Sequence, residues 1–422
     1  MLVYKFGGAS IATPARMQAL LPIITEAEQP LVVVVSAMGK TTNALEAIVT
    51  AACRGQQEEA NEMVHVLEEQ HVAYVQALLQ PENVQQALNV LSVYFTELQW
   101  AVDDIDTARY DYSYDQIVCI GELLSTRIFS FYLQQQGYVH EWVDVRDVIR
   151  TDETFRDARV DLEISERQAK QIMQPLLANN VNVITQGFIG TTADNASVTL
   201  GREGSDYTAA ILAAMLGASS VSIWKDVPGL QNADPRLFEH TTQIEDITYH
   251  EVIEMAYYGA QVIHPKTIKP LQNHNIPLYV KCFLDKSLPG TMIQNEVPDV
   301  AYPPIIVWKK DQILLQVTTR DFSFITEDNL SRIYYLFAGL NIKINLIQNA
   351  AISFIACVDN NAEKVHAVIA ALEHDYKVLR NEGASLLTVR HYTPEIVFEL
   401  TKEKTVLLEQ KTRVTTQVVI KD

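Results

Sequence analysis

Apolar and polar residues alternate along the N-terminal two-thirds of the chain in two rhythms. Residues 1–6 form a short apolar run that stops at Gly7-Gly8, which predicts a strand entering a turn. From 14 to 28 the positions Met17, Leu20, Leu21, Ile24 and Ala27 recur at helical spacing. Residues 31–35 read Leu-Val-Val-Val-Val, as in a strand covered on both faces. That run ends at Ser36-Ala37-Met38-Gly39, and helical spacing resumes over 42–53. Residues 55–108 are polar and acidic with the same spacing, which predicts an inserted helical pair or bundle. Further strands are predicted at 117–120, 139–143, 181–184, 221–223 and 278–280, and helices at 121–135 and 206–216. This alternation predicts an α/β fold layered around a mainly parallel sheet.

Pro289-Gly290 marks a turn, and Pro298 with Pro303-Pro304 marks a linker. The expected domains are 1–298 and 304–422. In the second, strands are predicted at 313–318, 342–347, 352–358 and 386–389, and helices at 327–338 and 362–373. Thr326 is the expected N-cap of the first of these helices and Gly339 its stop. Another helix is announced by Thr393, Pro394 and Glu395. A hairpin over 405–408 and 414–420 closes the chain. The order βαββαβ then αββ is one complete split-βαβ unit and a second, shortened one.

The 422 residues are 48% hydrophobic and 20% charged, a globular composition. A formal net charge of −19 argues against nucleic acid or an acidic membrane as partner. Any anion site must be a local basic pocket on an acidic body. Cys53, Cys119, Cys282 and Cys357 form no CxxC pair, so buried free thiols are expected and no metal centre. Lys5 and the paired glycines interrupt any apolar signal sequence. No uninterrupted apolar run approaches the ~20 residues of a membrane span. A soluble cytoplasmic protein is the expectation.

Three segments carry the candidate chemistry: Lys5 through Ser10, Gly201 through Asp206, and Trp224 through Gly229. Each reads as a strand entering a glycine-containing turn, where exposed backbone N–H groups bind anionic oxygens. Lys5 stands where an ammonium could neutralise a transferring phosphoryl group. Arg202 can hold a carboxylate bidentately, supported by Ser205. Asp206 either caps the following helix or orients Lys5. Glu122 either compensates a helix dipole or recognises a substrate ammonium. Arg236, after Asp234-Pro235, could reach nucleotide phosphates. His264, beside Pro265, and the Met255/Tyr257/Tyr258 cluster are assigned no chemistry. Gly39-Lys40-Thr41 is not a Walker A tail, because Val34 stands where that motif needs glycine. No G-x-G-x-x-G fingerprint occurs, which argues against a dinucleotide dehydrogenase.

In order along nearly the whole chain, several runs resemble the aspartokinases of the amino acid kinase superfamily, with a C-terminal ACT regulatory region. They are Lys5–Ser10, Ser36–Gly39 with Thr42-Asn43, Gly121–Ser125, Gln186–Gly190, Leu200–Tyr207, Trp224–Gly229 with Asp234-Pro235-Arg236, and Tyr258-Gly259-Ala260 with His264-Pro265. The resemblance implies a three-layer sandwich followed by ferredoxin-like ACT units. It implies that ATP and L-aspartate give ADP and 4-phospho-L-aspartate, the entry to lysine, threonine and methionine synthesis. By position, Lys5 and Asp206 would be catalytic. Thr42, Glu122, Arg202 and Ser205 would hold aspartate. Lys5, Gly7, Gly8 and Ser10, with Lys225, Asp226, Gln231 and Arg236, would bind ATP, and Mg2+ would be held mainly by its phosphates. Asn345 and Ile347 fall where an amino-acid effector binds, and ACT units imply at least a homodimer. The chain departs from the pattern at Glu203, where a glycine is usual, and at Lys225, Gln231 and Gln261; Lys266 is a candidate replacement for the lysine that Gln261 displaces. Asn345 replaces an aspartate found in lysine-sensitive relatives, and Ala350-Ala351 replace a Ser-Glu pair, so weak or absent lysine inhibition is expected. A kinase of another small acid, or a catalytically dead amino-acid sensor, are the alternatives.

Overall fold

The computed structural model describes residues 1–260, 263–298 and 301–421. By packing, the chain divides into two units. The first comprises Met1–Leu230, Glu245–Ile253 and Ile263–Pro298. The second comprises Gln231–Ile244, the stretch from Glu254, and the chain after Pro298.

The first unit is built on an eight-stranded sheet. Its order is Asp246–Thr248, Thr291–Gln294, Leu278–Cys282, Ser220–Lys225, Leu2–Phe6, Leu31–Val35, Asn182–Gln186 and His140–Val143. The six strands from Leu278–Cys282 to His140–Val143 run parallel, and only Thr291–Gln294 pairs antiparallel to its neighbour Leu278–Cys282. Leu31–Val35 is buried at every position, as an all-apolar strand covered on both faces must be.

Two helices, Gln57–Leu78 and Pro81–Asp103, occupy the polar stretch. Each buries one apolar stripe, for example Val64, Leu67 and Val75 on the first and Leu91, Phe95 and Leu98 on the second. Tyr74 on the first donates a hydrogen bond to the Ile11 carbonyl at 2.8 Å. The expected helix over 14–28 is two helices, Pro14–Ala19 and Leu21–Thr25. Pro22 has no N–H to continue the ladder, so a second helix restarts there.

The predicted strand at 117–120 is wrong: these residues close the helix Tyr110–Val118 and open the helix Ile120–Gln135. Ile117, Val118, Cys119 and Ile120 are all buried. A short apolar run buried on all sides has the same pattern in a helix as in a covered strand. The stretch Thr107–Gln135 is long and apolar enough to cross a membrane, but 83% of its most apolar window is buried inside the fold.

The second unit carries one six-stranded antiparallel sheet, ordered Ile344–Asn349, Ser353–Asp359, Ile305–Thr319, Tyr376–Arg390, Thr415–Lys421 and Thr405–Lys411. The predicted strands 313–318 and 386–389 are halves of two strands of 15 residues each. Their pairing shifts register around Lys309, Gln312 and Leu314, with Asp311 and Gly383 both at positive φ. A bulge bends the strands there and divides the sheet into halves. One half packs Leu315, Val317 and Phe354 against Phe337 of the helix Glu327–Gly339 and against the helix Ala362–Leu372. The other packs Leu387, Val389 and Ile420 with Val397 of the helix Pro394–Thr401 and with Ala233 and Phe238. The N-terminal half of Ile305–Thr319 pairs with Leu386–Arg390 and so completes the shortened repeat. Gly339 is the last residue of its helix rather than its stop. Asn341 supplies the left-handed residue beyond it, at φ 50°.

His71 is 1% exposed, edge-on to Phe95, with Nδ1 2.8 Å from the Leu67 carbonyl. Burial lowers its pKa from the ordinary 6.5, against the opposing effect of that hydrogen bond. The folded state thus binds the proton less readily than the unfolded one. His71 therefore adds no penalty above about pH 6.5 and costs stability as the pH falls below it. His71→Leu is expected to flatten this acid-side loss in urea melts compared at about pH 7.5 and 5.5.

Candidate active site

Strand register assembles the site. Phe6 lies opposite Val35 on one side and Trp224 on the other, and Val35 lies opposite Gln186. The residues that follow, Gly7, Ser36 and Gly187, therefore leave the sheet at one edge, beside Lys225, which ends its strand opposite Cys282. Leu2–Phe6 is flanked by Leu31–Val35 on one side and by Ser220–Lys225 on the other, so the strand order switches direction there and a crevice opens at the carboxyl ends of these strands. The crevice is a cleft of about 580 Å³.

Close approach demands glycine at two points. A Cβ on Gly8 would lie 2.6 Å from the Ala37 carbonyl oxygen. A Cβ on Gly187 would lie 2.6 Å from Cα of Ser205, so the helix Gly204–Leu216 abuts the strand end directly.

Lys5, at the end of its strand, forms an ion pair of 2.6 Å with Asp206. Their side chains are 11% and 4% exposed. Asp206 sits in the first turn of Gly204–Leu216, but Glu203 is the N-cap position and gives no side-chain cap. Between the two readings of Asp206, orientation of Lys5 is the one with a contact.

Glu122 is 2% exposed in the first turn of Ile120–Gln135. Its Oε1 accepts the Ala37 N–H at 3.2 Å; Oε2 is buried without a hydrogen-bond partner among the described residues. Burial pushes its pKa up to about 8, against the Ala37 N–H and the charge of Lys5. Ser125 ties the same helix to the Ser36 carbonyl at 2.8 Å.

Eleven of the thirteen residues expected to be catalytic or to bind aspartate or ATP line this one cleft: Lys5, Gly7, Gly8, Ser10, Thr42, Glu122, Arg202, Ser205, Asp206, Lys225 and Asp226. Arg202 is exposed and makes no ion pair among the described residues. Glu203 does not turn toward it. It stands in the left-handed region at φ 54°, and its Oε2 accepts the His264 N–H at 2.8 Å. His264 is structural, accepting the Lys266 N–H at 3.2 Å as the N-cap of Pro265–Asn273. Lys266 is engaged by Asp157 at 3.0 Å and the Leu200 carbonyl at 2.9 Å. Gln261 lies outside the described residues.

Gln231 and Arg236 belong to the second unit, where Arg236 pairs with Asp234 through Nε and Nη2, the shorter at 2.7 Å. Asn345 and Ile347 lie on the strand Ile344–Asn349. Asn345 is 9% exposed. Its Oδ1 accepts from Lys309 at 2.9 Å, and its amide donates to Gln312 at 2.8 Å and Asp359 at 2.9 Å. Burial would raise the Asp359 pKa, but Gln312, Lys309 and Asn345 together hold it below the ordinary value.

Sequence reasoning missed Glu46, Tyr114, Arg156, Thr199 and Phe283, which also line the cleft, and gave no role to Phe188 and Trp224 within the runs it singled out. Glu46 lies one helical turn beyond Thr42, a spacing that could have pointed to it. It accepts a short hydrogen bond from Tyr114. Arg156 is placed by Asp115, a fully buried carboxylate. Asp115 accepts the N–H of Arg156 at 2.9 Å and the N–H and hydroxyl of Thr199 at 3.0 and 2.7 Å. Burial still outweighs these bonds and raises its pKa to about 6.

Two features suit a nucleotide. Gly7 and Gly8 leave the backbone bare at the cleft, and the Ser10 hydroxyl, 1% exposed, has no hydrogen-bond partner among the described residues. Among the described residues no group of three or more His, Cys, Asp or Glu is placed to hold a metal ion.

Residues 1–282 match the model of the amino acid kinase family. Lysine-sensitive aspartokinase 3 of Escherichia coli (strain K12) is 32% identical over 360 residues, 85% of this chain and 78% of that protein. Aspartokinase 1, chloroplastic, of Arabidopsis thaliana is 31% identical over 371 residues, 85% of this chain and 63% of that one. The structure of E. coli aspartokinase III with lysine and aspartate matches at TM-score 0.80 and 28% identity, over 100% of this chain and 96% of the other. The same enzyme with aspartate and ADP matches at TM-score 0.79. Fold, cleft and family match together define an amino acid kinase. Within that family the chain belongs to the aspartokinases.

Ionising Glu122 costs the folded state more than the unfolded one, so its contribution to stability falls as the pH rises from about 4.5 toward 8. Glu122→Gln keeps an acceptor for Ala37 and removes the charge. Thermal melts at about pH 8.5 are expected to show the variant ~2–4 °C above the parent, with the gap closing in acid.

Proposed function

We propose that this cleft transfers the γ-phosphoryl group of ATP to the side-chain carboxylate of L-aspartate, giving 4-phospho-L-aspartate. The observation that carries this reading is the convergence of Lys5, Asp206, Glu122, Arg202 and Ser205 on one cleft beside the Gly7-Gly8 turn. Phosphoryl transfer asks the protein mainly for position and charge compensation. The Lys5 ammonium, oriented by Asp206, neutralises charge developing on the transferred group. Arg202 forks the α-carboxylate, helped by Ser205. Glu122 receives the substrate ammonium at Oε2. That cation draws off the proton which burial otherwise favours, so ionisation and substrate binding are coupled. Thr42 completes the aspartate pocket.

Gly7, Gly8 and Ser10, with Lys225 and Asp226, line the side assigned to nucleotide. Gln231 and Arg236 are part of the same assignment by sequence position. Mg2+ would bind through the phosphates, with Asp226 as the available carboxylate, and would supply further neutralisation of phosphate charge. The apolar stretch Thr107–Gln135 is mostly core, which supports a soluble enzyme, and the cytoplasm is proposed as its compartment from the sequence reading. ACT-type sheets commonly pair edge to edge, and Ile344–Asn349 and Thr405–Lys411 are the two edges that a homodimer would use.

Coupled ADP-release assays with aspartate, N-acetylglutamate, glutamate and UMP test the acceptor. Aspartate is expected to be preferred, and no ADP from any acceptor would sink the enzyme reading in favour of a sensor. Lys5→Ala is expected to lower kcat by about a hundredfold or more while aspartate binding by calorimetry persists.

An amino-acid effector at the second unit remains part of the proposal, but free lysine is a poor candidate. The amide of Asn345 is already engaged by Lys309, Gln312 and Asp359, and an amide forms weaker bonds to an ammonium than a carboxylate does. Steady-state rates are expected to change less than about twofold in submillimolar lysine, since a missing charge-assisted bond weakens binding by roughly 1.5–3 kcal/mol.

A further inference from the structure

Beside the cleft lies a second cavity of about 520 Å³, whose charged lining is Arg156, Arg159, Arg202 and Lys266 against the single carboxylate of Asp157. Lys266 neutralises Asp157 at 3.0 Å, which leaves three guanidiniums around one space. Arg156 pairs with Asp111 at 3.2 Å in a half-exposed contact, and its guanidinium lies over the Tyr114 ring at 4.4 Å. Arg159 and Arg202 make no ion pair among the described residues. On a chain of net charge −19, cations gathered in a concavity focus the local potential on an anion.

The loop that presents them is built rather than slack. The Arg156 N–H donates to buried Asp115 at 2.9 Å, and the Ala158 N–H donates to the Thr199 carbonyl at 3.0 Å. Asp152 and Arg159 exchange two hydrogen bonds, Arg159 N–H to the Asp152 carboxylate at 2.9 Å and Asp152 N–H to the Arg159 carbonyl at 3.0 Å. Arg156 itself is held at φ 69°, a left-handed conformation that costs a residue with a Cβ and persists only when its surroundings impose it. His264, which also lines the cavity, accepts the Lys266 N–H on Nδ1, so the neutral ring keeps its proton on Nε2 as a further donor.

We infer that this cavity binds a small multivalent oxyanion, a phosphate or a polycarboxylate, and that its occupant competes with the acceptor for Arg202. Planar guanidinium forks each match two oxygens of such a group. Arg156, Gly201 and Arg202 line both cavities, so one guanidinium serves either space. The competition rests on the aspartokinase reading, whereas the binding does not.

Two measurements on the full chain test the inference. Calorimetric titration with inorganic phosphate and, separately, with citrate is run without substrates or magnesium, and the tighter of the two identifies the oxyanion. Turnover is then measured with aspartate varied, in phosphate or in potassium chloride at matched ionic strength. Phosphate is expected to raise the KM for aspartate, beyond the effect of chloride, with kcat unchanged. Arg159→Gln removes an exposed charge that lines only the second cavity. It is expected to weaken binding of the tighter anion by about tenfold, the loss of one charge-assisted bond, and to leave turnover without phosphate unchanged. Arg159→Lys is expected to restore part of the binding. Binding that is the same in Arg159→Gln as in the parent overturns the site, since the anion then sits on the nucleotide-side glycines. Equal effects of phosphate and chloride on KM overturn the competition. Absence of turnover with aspartate would defeat the kinase reading and leave the titration result standing.

Discussion

The site depends on one ion pair, Lys5 with Asp206, made across the junction of the central strand and the helix Gly204–Leu216. Both side chains are nearly buried, so each charge has lost most of its hydration and relies on the other. Removing one partner would strand the other in a poorly solvated place, which typically costs several kcal/mol. The pair also requires the first turn of that helix to lie close to the sheet, and there it meets the end of a second strand, Asn182–Gln186, at Gly187, where a Cβ would lie 2.6 Å from Cα of Ser205. Strand, helix and glycine are therefore one constraint. The ammonium it fixes is the group around which the other loops are arranged.

Two buried carboxylates support this arrangement and are held at a cost. Asp115 accepts three hydrogen bonds and still has a raised pKa, because burial outweighs what three donors return. It positions the backbone of Arg156 and Thr199, which face the cleft. Glu122 is less well satisfied, with one oxygen bonded to Ala37 and the other without a partner among the described residues. A buried acceptor left open is unfavourable for the empty protein. It is also what a site needs if a ligand is to complete it.

In the second unit two sequence repeats share one sheet. A bulge near Asp311 bends both 15-residue strands, so each strand contributes to two cores. The bend explains how an incomplete repeat is stable: the N-terminal half of Ile305–Thr319 supplies the pairing that its own sequence lacks. Around Asn345 the polar groups satisfy one another. A network of this kind makes its members less available to a ligand.

Sequence alone determined much of this protein. The strands 31–35 and 278–280, the helical pair and the caps at Thr326 and Thr393 are local patterns, set by periodicity and by backbone groups that need partners nearby in the chain. The glycine turns at 7–8 and 201–206 were legible for the same reason, and eleven anticipated residues do share one cleft. Tertiary structure alone decided what depends on surroundings. Residues 117–120 are helical because the fold covers them on every side, which an apolar run cannot specify. Glu203 points to His264, Asp206 to Lys5, and Asn345 into a network, although each reads as a short polar residue with several options. Arg156 carried no motif, and its place comes from Asp115, 41 positions away. Periodicity reports how a segment meets an average environment. The direction of a polar side chain depends on which distant donor or charge the fold brings within reach.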